Sequence, residues 1–235
     1  DFSKLTGEVV LAALGHAFFT LSLGMGVMIA YGSYLGQKVD LLRAARTVAI
    51  MDTVIALGAG LAIFPIVFAN GLDPAAGPGL IFVTLPLVFG EITGGGILGT
   101  MFFLLLTFAA LTSAISLLEP SVELLQERTR LGRVGATLLA SAVIWALGIA
   151  ALLSFNVWSD VLIFGNNIFD LLDKLTSKFL LPLTALGAVL FVGWCLDRDS
   201  VREELNLGSG GFALWNLIVR FVAPIGVLVV FVSSL

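Results

Sequence analysis

The sequence predicts an all-α integral membrane protein of about six transmembrane helices, the first of which is unwound at its centre. Composition is the first observation behind this prediction. Of the 235 residues, 59% are hydrophobic and 12% are charged, whereas about 25% are charged in soluble domains. The second observation is a series of apolar stretches that reach the roughly 20 residues a helix needs to cross a bilayer. The third is a pair of glycines, Gly24 and Gly26, inside the first stretch.

The first apolar stretch, residues 9–37, contains no Asp, Glu, Lys or Arg and is longer than one span requires. Ser22, Gly24 and Gly26 lie at its centre. Each glycine costs about 1 kcal/mol in a helix interior, and serine competes for backbone hydrogen bonds. A helix broken at membrane depth is tolerated only where its polar backbone groups face protein, water or a ligand. The pattern therefore predicts two half-helices joined by an irregular segment, and our working hypothesis is that this segment holds a ligand.

The other spans are separated by polar or turn-rich connectors. Residues 70–95 are predicted to form a loop, because residues 70–79 are rich in turn-forming residues, and the distribution of basic residues places this loop on the extracellular side. Within this loop, the apolar residues 80–89 are too few to span a bilayer and predict a loop helix or a re-entrant segment. We expect residues 1–235 to be a fragment that forms a single transmembrane domain. The predicted spans are about 7–36, 41–69, 96–125, 134–155, 170–197 and 211–233.

Lysine and arginine are distributed unevenly between the two sides of the predicted helices. The connectors after the first, third and fifth spans hold eight of these residues, and the opposite side holds three. The positive-inside rule therefore places the three connectors in the cytoplasm and the start of the chain outside. An external first residue without a signal peptide predicts an odd number of preceding spans. The three connectors are residues 36–46, 126–135 and 197–210, and the three external residues are Lys4, Lys174 and Lys178.

The residue types argue against covalent chemistry and against nucleic-acid binding. The chain has one cysteine, Cys195, and one histidine, His16, which excludes an intramolecular disulfide and a multi-cysteine metal site. We interpret both as packing or hydrogen-bonding residues. The sequence shows no nucleophile–base pair, no phosphate-binding loop and no basic aromatic stripe. We therefore expect a protein that is not an enzyme and has no nucleic-acid partner.

Five motifs follow one another along the chain: GHAFFTLSLGMG (15–26), AGLAIFP (59–65), GPGLIFVTLP (77–86), FFLLLTFAALTSAISLLEP (102–120) and REEL (202–205). In this order they resemble the C-terminal half of a neurotransmitter:sodium symporter with the leucine-transporter fold. Transporters of this kind are the usual example of inverted repeats and broken helices. The resemblance implies that the chain holds helices six to eleven, one repeat of five plus one further helix, and that an N-terminal half of about five helices is missing.

The resemblance also implies a substrate site around the broken helix. Phe19 would offer its carbonyl to an amine and its ring as a lid. Met25 stands where many relatives have an aromatic residue, and methionine adapts to irregular space, so the size of the substrate stays open. The residues implied in substrate binding are Phe19, Thr20, Ser22, Met25, Ser113 and Leu117.

Two sodium sites follow from the same resemblance, each shared with the missing half. Thr20 and Asp52 would bind the first ion. Asp52 lies roughly 16 Å along its helix, and an acid at that depth is costly unless neutralised. We therefore hypothesise that Asp52 supplies the charge that chloride supplies in chloride-dependent relatives, so that chloride is not required. The second ion would be bound by Ala109, Thr112 and Ser113, and Asp173 would be the acid of the outer gate.

The function implied is sodium-coupled symport of an amino acid or related amine by alternating access. The protein would be a multi-pass protein of the cell membrane. Its partners would be the substrate, sodium ions and the lipid bilayer. The alternative is a half-size membrane channel or scaffold without transport activity. The 8-to-3 bias of basic residues argues against an antiparallel homodimer, because it favours a single orientation. A transporter of another family with the same inverted-repeat fold is a third possibility.

Overall fold

The computed structural model describes residues 5–36, 38–71, 74, 77 and 79–234, and within them the regular structure is helical. Among the described residues, five helices are long and apolar enough to cross a membrane, judged by length and composition. Lys4, Gln37 and part of the predicted loop 70–95 lie outside the described residues. The helices with membrane-spanning length are Leu41–Ala69, Gly95–Arg128, Arg133–Leu153, Ile168–Cys195 and Ser209–Ser233.

Short π-helical turns interrupt three of the helical stretches and give eleven α-helices in chain order among the described residues. A π turn has a wider ring of hydrogen bonds and inserts one residue into the helix. The π turns are Leu80–Thr84, Leu175–Leu180, Phe191–Cys195 and Ile218–Val222. The α-helices are α1 (Gly7–Thr20), α2 (Val27–Tyr34), α3 (Leu41–Ala69), α4 (Leu85–Glu91), α5 (Gly95–Arg128), α6 (Arg133–Leu153), α7 (Ile168–Lys174), α8 (Leu181–Leu190), α9 (Arg198–Leu205), α10 (Ser209–Leu217) and α11 (Ala223–Ser234).

The first apolar stretch is broken, as the glycines predict. Helix α1 is capped by Thr6, whose side chain accepts a hydrogen bond from the Val9 amide at 3.3 Å, and it ends at Thr20. The backbone then alternates through the left-handed region, with φ of +53° at Ser22, +82° at Gly24 and +79° at Gly26. Helix α2 starts at Val27. The prediction of a first helix unwound at its centre is confirmed, and we call residues 21–26 the unwound segment.

The chain folds as two compact units. The first unit contains Asp1–Ala45 and Leu117–Leu235. In this unit α11 packs against α8 and α1, and the end of α5 packs on α6 through the buried residues Val122, Ala136 and Ala140. The second unit, Arg46–Ser116, contains most of α3, the short helix α4 and most of α5. The prediction of a single transmembrane domain and the predicted membrane orientation stay predictions.

One arginine lies inside a span of the first unit. The Arg220 Nε donates a hydrogen bond of 2.5 Å to the Gly193 carbonyl, and its guanidinium carbon lies 5.1 Å from the centre of the Trp194 ring. All three residues belong to π turns, which free backbone carbonyls from the regular helical pattern. A charge in a span is tolerated when it is paired with carbonyl groups or an aromatic face. The two π turns therefore account for the cation at this depth.

The connector between the last two spans contains a short helix, α9, that is capped by the residue before it. Asp197 caps α9 by accepting hydrogen bonds at 2.9 Å from both the Ser200 amide and the Ser200 hydroxyl. The hydrogen bond from the Ser200 backbone amide, followed by that from its hydroxyl, holds the pKa of the Asp197 carboxyl below its ordinary value. Because the pKa is lowered, the cap stabilises α9 above the ordinary pKa and is lost as the pH falls through the lowered one.

The loop before α5 contains the short helix that the apolar residues 80–89 predict. A π turn and α4 together cover residues 80–91, and after three intervening residues Gly95 starts α5. This tight reversal brings the Gly95 backbone against Phe89. A Cβ atom on Gly95 would lie 1.8 Å from the Phe89 carbonyl oxygen, much closer than any real contact. Only glycine therefore fits at this position of the reversal.

We expect Gly95→Ala to destabilise the full-length protein by more than about 2 kcal/mol, because the backbone of the reversal must move to admit the methyl group. The melting temperature of the detergent-purified protein should fall by several degrees. Gly96→Ala is the matched control, since a Cβ atom there meets nothing within 4 Å. Equal melting temperatures for the two variants would contradict the close approach of Gly95 to Phe89.

Candidate functional site

The unwound segment is held between two helices by two of its glycines. A Cβ atom on Gly24 would lie 2.6 Å from the Leu181 carbonyl oxygen and 2.8 Å from the Thr184 hydroxyl oxygen, both in α8. A Cβ atom on Gly26 would lie 3.1 Å from the Cβ of Pro120 in α5. The segment therefore has its backbone, not side chains, against these neighbours. Several of its amides already donate within the chain, Ser22 to the Phe19 carbonyl, Leu23 to the Phe18 carbonyl and Met25 to the Ser22 carbonyl. Because its turns are not helical, the other backbone groups of the segment are the ones that can meet a partner outside the chain's own helices.

The structure places two of the predicted substrate residues in one cavity. Ser22 and Met25 line a cavity of about 460 Å³ between the unwound segment and α8. The wall from α8 includes Thr184, Ala185 and Ala188, and the lining is mainly apolar. Both predicted residues are partly buried. The segment thus presents a hydroxyl and a thioether to the same space.

A second cleft, of about 420 Å³, brings together the predicted lid and the predicted outer gate. Phe19 at the end of α1 and Asp173 in α7 both line it. Phe19 is 49% exposed, so its ring is free to change its position. His16 and Lys178 line the same cleft, and sequence reasoning had assigned His16 only to packing or hydrogen bonding. One sign of a different role was its position one turn before Phe19, on the same helix face.

The residues predicted for the second sodium lie on one helix of the second unit. The Thr112 hydroxyl donates to the Ala109 carbonyl at 3.0 Å and lies 3.1 Å from the Phe108 carbonyl. Two oxygens at this separation can coordinate one cation, because hard cations gather several oxygen ligands in a single shell. Ser113 follows Thr112 directly and lies one turn before Leu117, which is 44% exposed. The geometry is compatible with the predicted site, and the assignment stays a prediction.

The two residues predicted for the first sodium belong to different units. Thr20 is the last residue of α1 in the first unit, and its hydroxyl donates to the Ala17 carbonyl at 3.4 Å. Asp52 is a partly exposed residue of α3 in the second unit. It lies on the helix eleven residues after Leu41, about 16 Å from the helix start. Their role as joint ligands stays a prediction.

A polar cluster at the end of α2 was not expected as such from the sequence. The Tyr34 hydroxyl lies 2.6 Å from the Glu119 carboxylate and 3.0 Å from the Glu123 carboxylate. Arg133, at the start of α6, forms an ion pair with Glu119 at 2.6 Å. The spacing of the acids at 119, 123 and 127 places them on one helix face. The Glu119 side chain is only 19% exposed, and through Tyr34 and Arg133 this acid joins three helices.

The succession of long apolar helices, with an interrupted helix before them, defines a multi-pass membrane protein. The chain belongs to the sodium:neurotransmitter symporter family, whose model matches residues 1–235. The resemblance stated from the motifs is thereby confirmed.

Two bacterial relatives and one solved structure are similar to the whole chain. A sodium-dependent transporter of Haemophilus influenzae is 42% identical, with 100% of this chain and 52% of that protein covered. A sodium-dependent transporter of Bacillus subtilis is 37% identical, with 99% and 52% covered. The crystal structure of MhsT in complex with L-phenylalanine matches with a TM-score of 0.91 and 46% identity, over 100% of this chain and 54% of that one. The chain spans about half the length of the curated relatives it matches.

Proposed function

We propose that the protein is a sodium-coupled symporter of an amino acid or related amine, working by alternating access. The observation that carries the proposal is the unwound segment, which presents backbone groups and the Ser22 and Met25 side chains to a cavity at the middle of a span. An interrupted membrane helix offers carbonyl groups to a cation and dipole ends to a charged ligand. The likeness to a transporter solved with L-phenylalanine supports an amino acid as the substrate.

The substrate is bound through the unwound segment and α5 in this proposal. Phe19, Thr20, Ser22 and Met25 bind it from the segment and the end of α1. Ser113 and Leu117 line the pocket for its side chain. Phe19 closes over the substrate, and Asp173, in the same cleft, is the acid of the outer gate.

Two sodium ions accompany the substrate. Thr20 and Asp52 coordinate the first, and the Ala109 carbonyl with the Thr112 and Ser113 hydroxyls coordinates the second. Coupling follows because sodium and substrate stabilise the same conformation, so each raises the affinity for the other by the same factor. Each site needs ligands beyond these residues. We propose that an N-terminal half of about five helices supplies them, as the coverage of about half of each relative suggests.

Uptake into proteoliposomes tests the proposal. The full-length protein is reconstituted, and uptake of labelled L-phenylalanine, leucine and a charged amino acid is measured under an inward sodium gradient. We expect accumulation of at least one of them, and none when potassium replaces sodium. Equilibrium binding in detergent should show the same dependence on sodium.

The alternative, a membrane channel or scaffold, predicts a different result from the same preparation. A channel would give a solute flux that follows the solute gradient and does not change when potassium replaces sodium. A scaffold would show neither flux nor sodium-dependent binding of any of the amino acids. Either result overturns the proposal.

A further inference from the structure

We propose that Thr184 is a positioning residue, whose hydroxyl holds the unwound segment in the geometry that binds substrate. It lies in α8, 160 residues along the chain from the segment. The Thr184 Oγ1 atom donates to the Gly24 carbonyl oxygen at 2.6 Å. This inference rests on the proposed function, since it concerns the site that the function assigns to the segment.

The contact is made possible by the absence of a side chain on Gly24. A Cβ atom there would lie 2.8 Å from the Thr184 hydroxyl oxygen and 3.0 Å from the Ala185 amide nitrogen. The segment therefore reaches the α8 backbone directly, and the carbonyl of Gly24 points at the hydroxyl. Gly24 leaves space for the contact because it has no side chain, and Thr184 donates the hydrogen bond.

The Thr184 hydroxyl has one proton and three acceptors within reach. Besides the Gly24 carbonyl, its oxygen lies 2.7 Å from the Leu180 carbonyl and 3.1 Å from the Leu181 carbonyl, both in its own helical stretch. A hydroxyl donates one proton, so a bond to Gly24 competes with back-bonding to the helix. When the proton turns towards Leu180, two oxygens without a proton between them face each other at the Gly24 contact. The rotation of one hydroxyl thus changes this contact from attractive to repulsive.

Two residues close to Gly24 in the chain connect the position of its carbonyl to substrate binding. Met25 follows Gly24 directly, Ser22 lies two residues before it, and both line the same cavity as Thr184. A shift of the Gly24 carbonyl therefore moves both proposed substrate contacts. The fraction of molecules with the segment in place sets the apparent affinity, because a ligand binds only the competent fraction.

The test compares a variant that loses the hydroxyl with one that keeps it. In the full-length protein we expect Thr184→Val, which has nearly the same shape, to weaken the apparent affinity for sodium and for the transported amino acid about five-fold, the effect of one hydrogen bond. The number of binding sites should not change. Thr184→Ser retains the proton donor and should restore the affinity of the wild type.

A control isolates the contact from the general loss of a hydroxyl. Thr137 in α6 donates to the Arg133 carbonyl of its own helix at 2.8 Å, and Thr137→Val should leave the affinities unchanged. Hydrogen exchange of residues 21–26 gives a readout without ligand. It should be faster in Thr184→Val than in the wild type, and unchanged in Thr184→Ser.

The outcomes separate this inference from the proposed function. If the wild type binds amino acids with sodium but Thr184→Val matches it in affinity and exchange, or Thr184→Ser is as impaired as Thr184→Val, the positioning role is wrong and the function stands. If the wild type binds no amino acid with sodium, the proposed function fails. In that case the exchange of residues 21–26 alone decides whether Thr184 holds the segment.

Discussion

Gly24→Ala is expected to reduce sodium-dependent amino-acid binding by at least about a hundred-fold, which corresponds to about 2.7 kcal/mol. Two costs add at this position. A residue with a side chain pays roughly 1–2 kcal/mol to adopt the left-handed backbone, and φ at Gly24 is +82°. The added methyl group would also lie 2.6 Å from the Leu181 carbonyl oxygen, so the segment must leave α8. Equilibrium binding of a labelled amino acid by the purified full-length variant measures the loss.

The control for this variant is another glycine of the same interrupted span. Gly32 lies inside α2, and a Cβ atom on it meets nothing within 4 Å. Gly32→Ala should therefore bind as the wild type does and should slightly stabilise the helix, since alanine is the better helix former by about 1 kcal/mol. Wild-type binding by Gly24→Ala would show that the contact with α8 is not needed for the site.

The break in the first span was predictable because its cause is local. Ser22, Gly24 and Gly26 weaken the helix by their own backbone properties, and these are written in the sequence. The partner that receives the segment was not predictable in the same way. The contact between Gly24 and Thr184 joins residues 160 positions apart, and threonine inside a membrane helix ordinarily bonds to its own helix. Only the fold shows that an acceptor outside its own helix lies within reach.

The polar cluster at the end of α2 is a second contact whose partner residues a local sequence pattern does not specify. The spacing of Glu119 and Glu123 correctly predicts that they share a helix face. It does not say which residues meet that face, and a solvated helix end is the usual case for such acids. The Tyr34 hydroxyl comes from 85 residues earlier. No local pattern connects Tyr34 with Glu119, so this contact could not be predicted from the sequence.

The π turns could not be predicted from the sequence for a different reason. Each adds a single residue to a helix, which leaves the hydropathy of a span unchanged. The turn at Phe191–Cys195 nevertheless decides where the Gly193 carbonyl meets Arg220. Apolar composition therefore predicted the existence of the spans, while the position of individual carbonyl groups along them depended on packing between helices.

The largest electrostatic effect is expected from Asp52→Asn, which removes one negative charge from the proposed first sodium site. We expect the apparent affinity for sodium to fall at least about ten-fold, or 1.4 kcal/mol, because an amide oxygen attracts a cation less strongly than a carboxylate does. Binding of sodium is measured with the full-length variant, through the sodium dependence of amino-acid binding. Asp40→Asn is the matched control, at the residue that precedes the same helix, since Asp40 accepts from the Arg43 amide at 2.9 Å and an amide oxygen can replace it there.

The effect of added chloride tests whether Asp52→Asn loses sodium affinity because it lacks the negative charge of Asp52. If Asp52 supplies the charge that chloride supplies in other members of the family, chloride should strengthen sodium and amino-acid binding by Asp52→Asn and leave the wild type unchanged. The reason is that two cations and a substrate in a span require a compensating negative charge, which a mobile anion can provide once the fixed one is removed. A wild type that requires chloride would contradict the role of Asp52. An Asp52→Asn variant with unaltered sodium affinity would remove Asp52 from the proposed site.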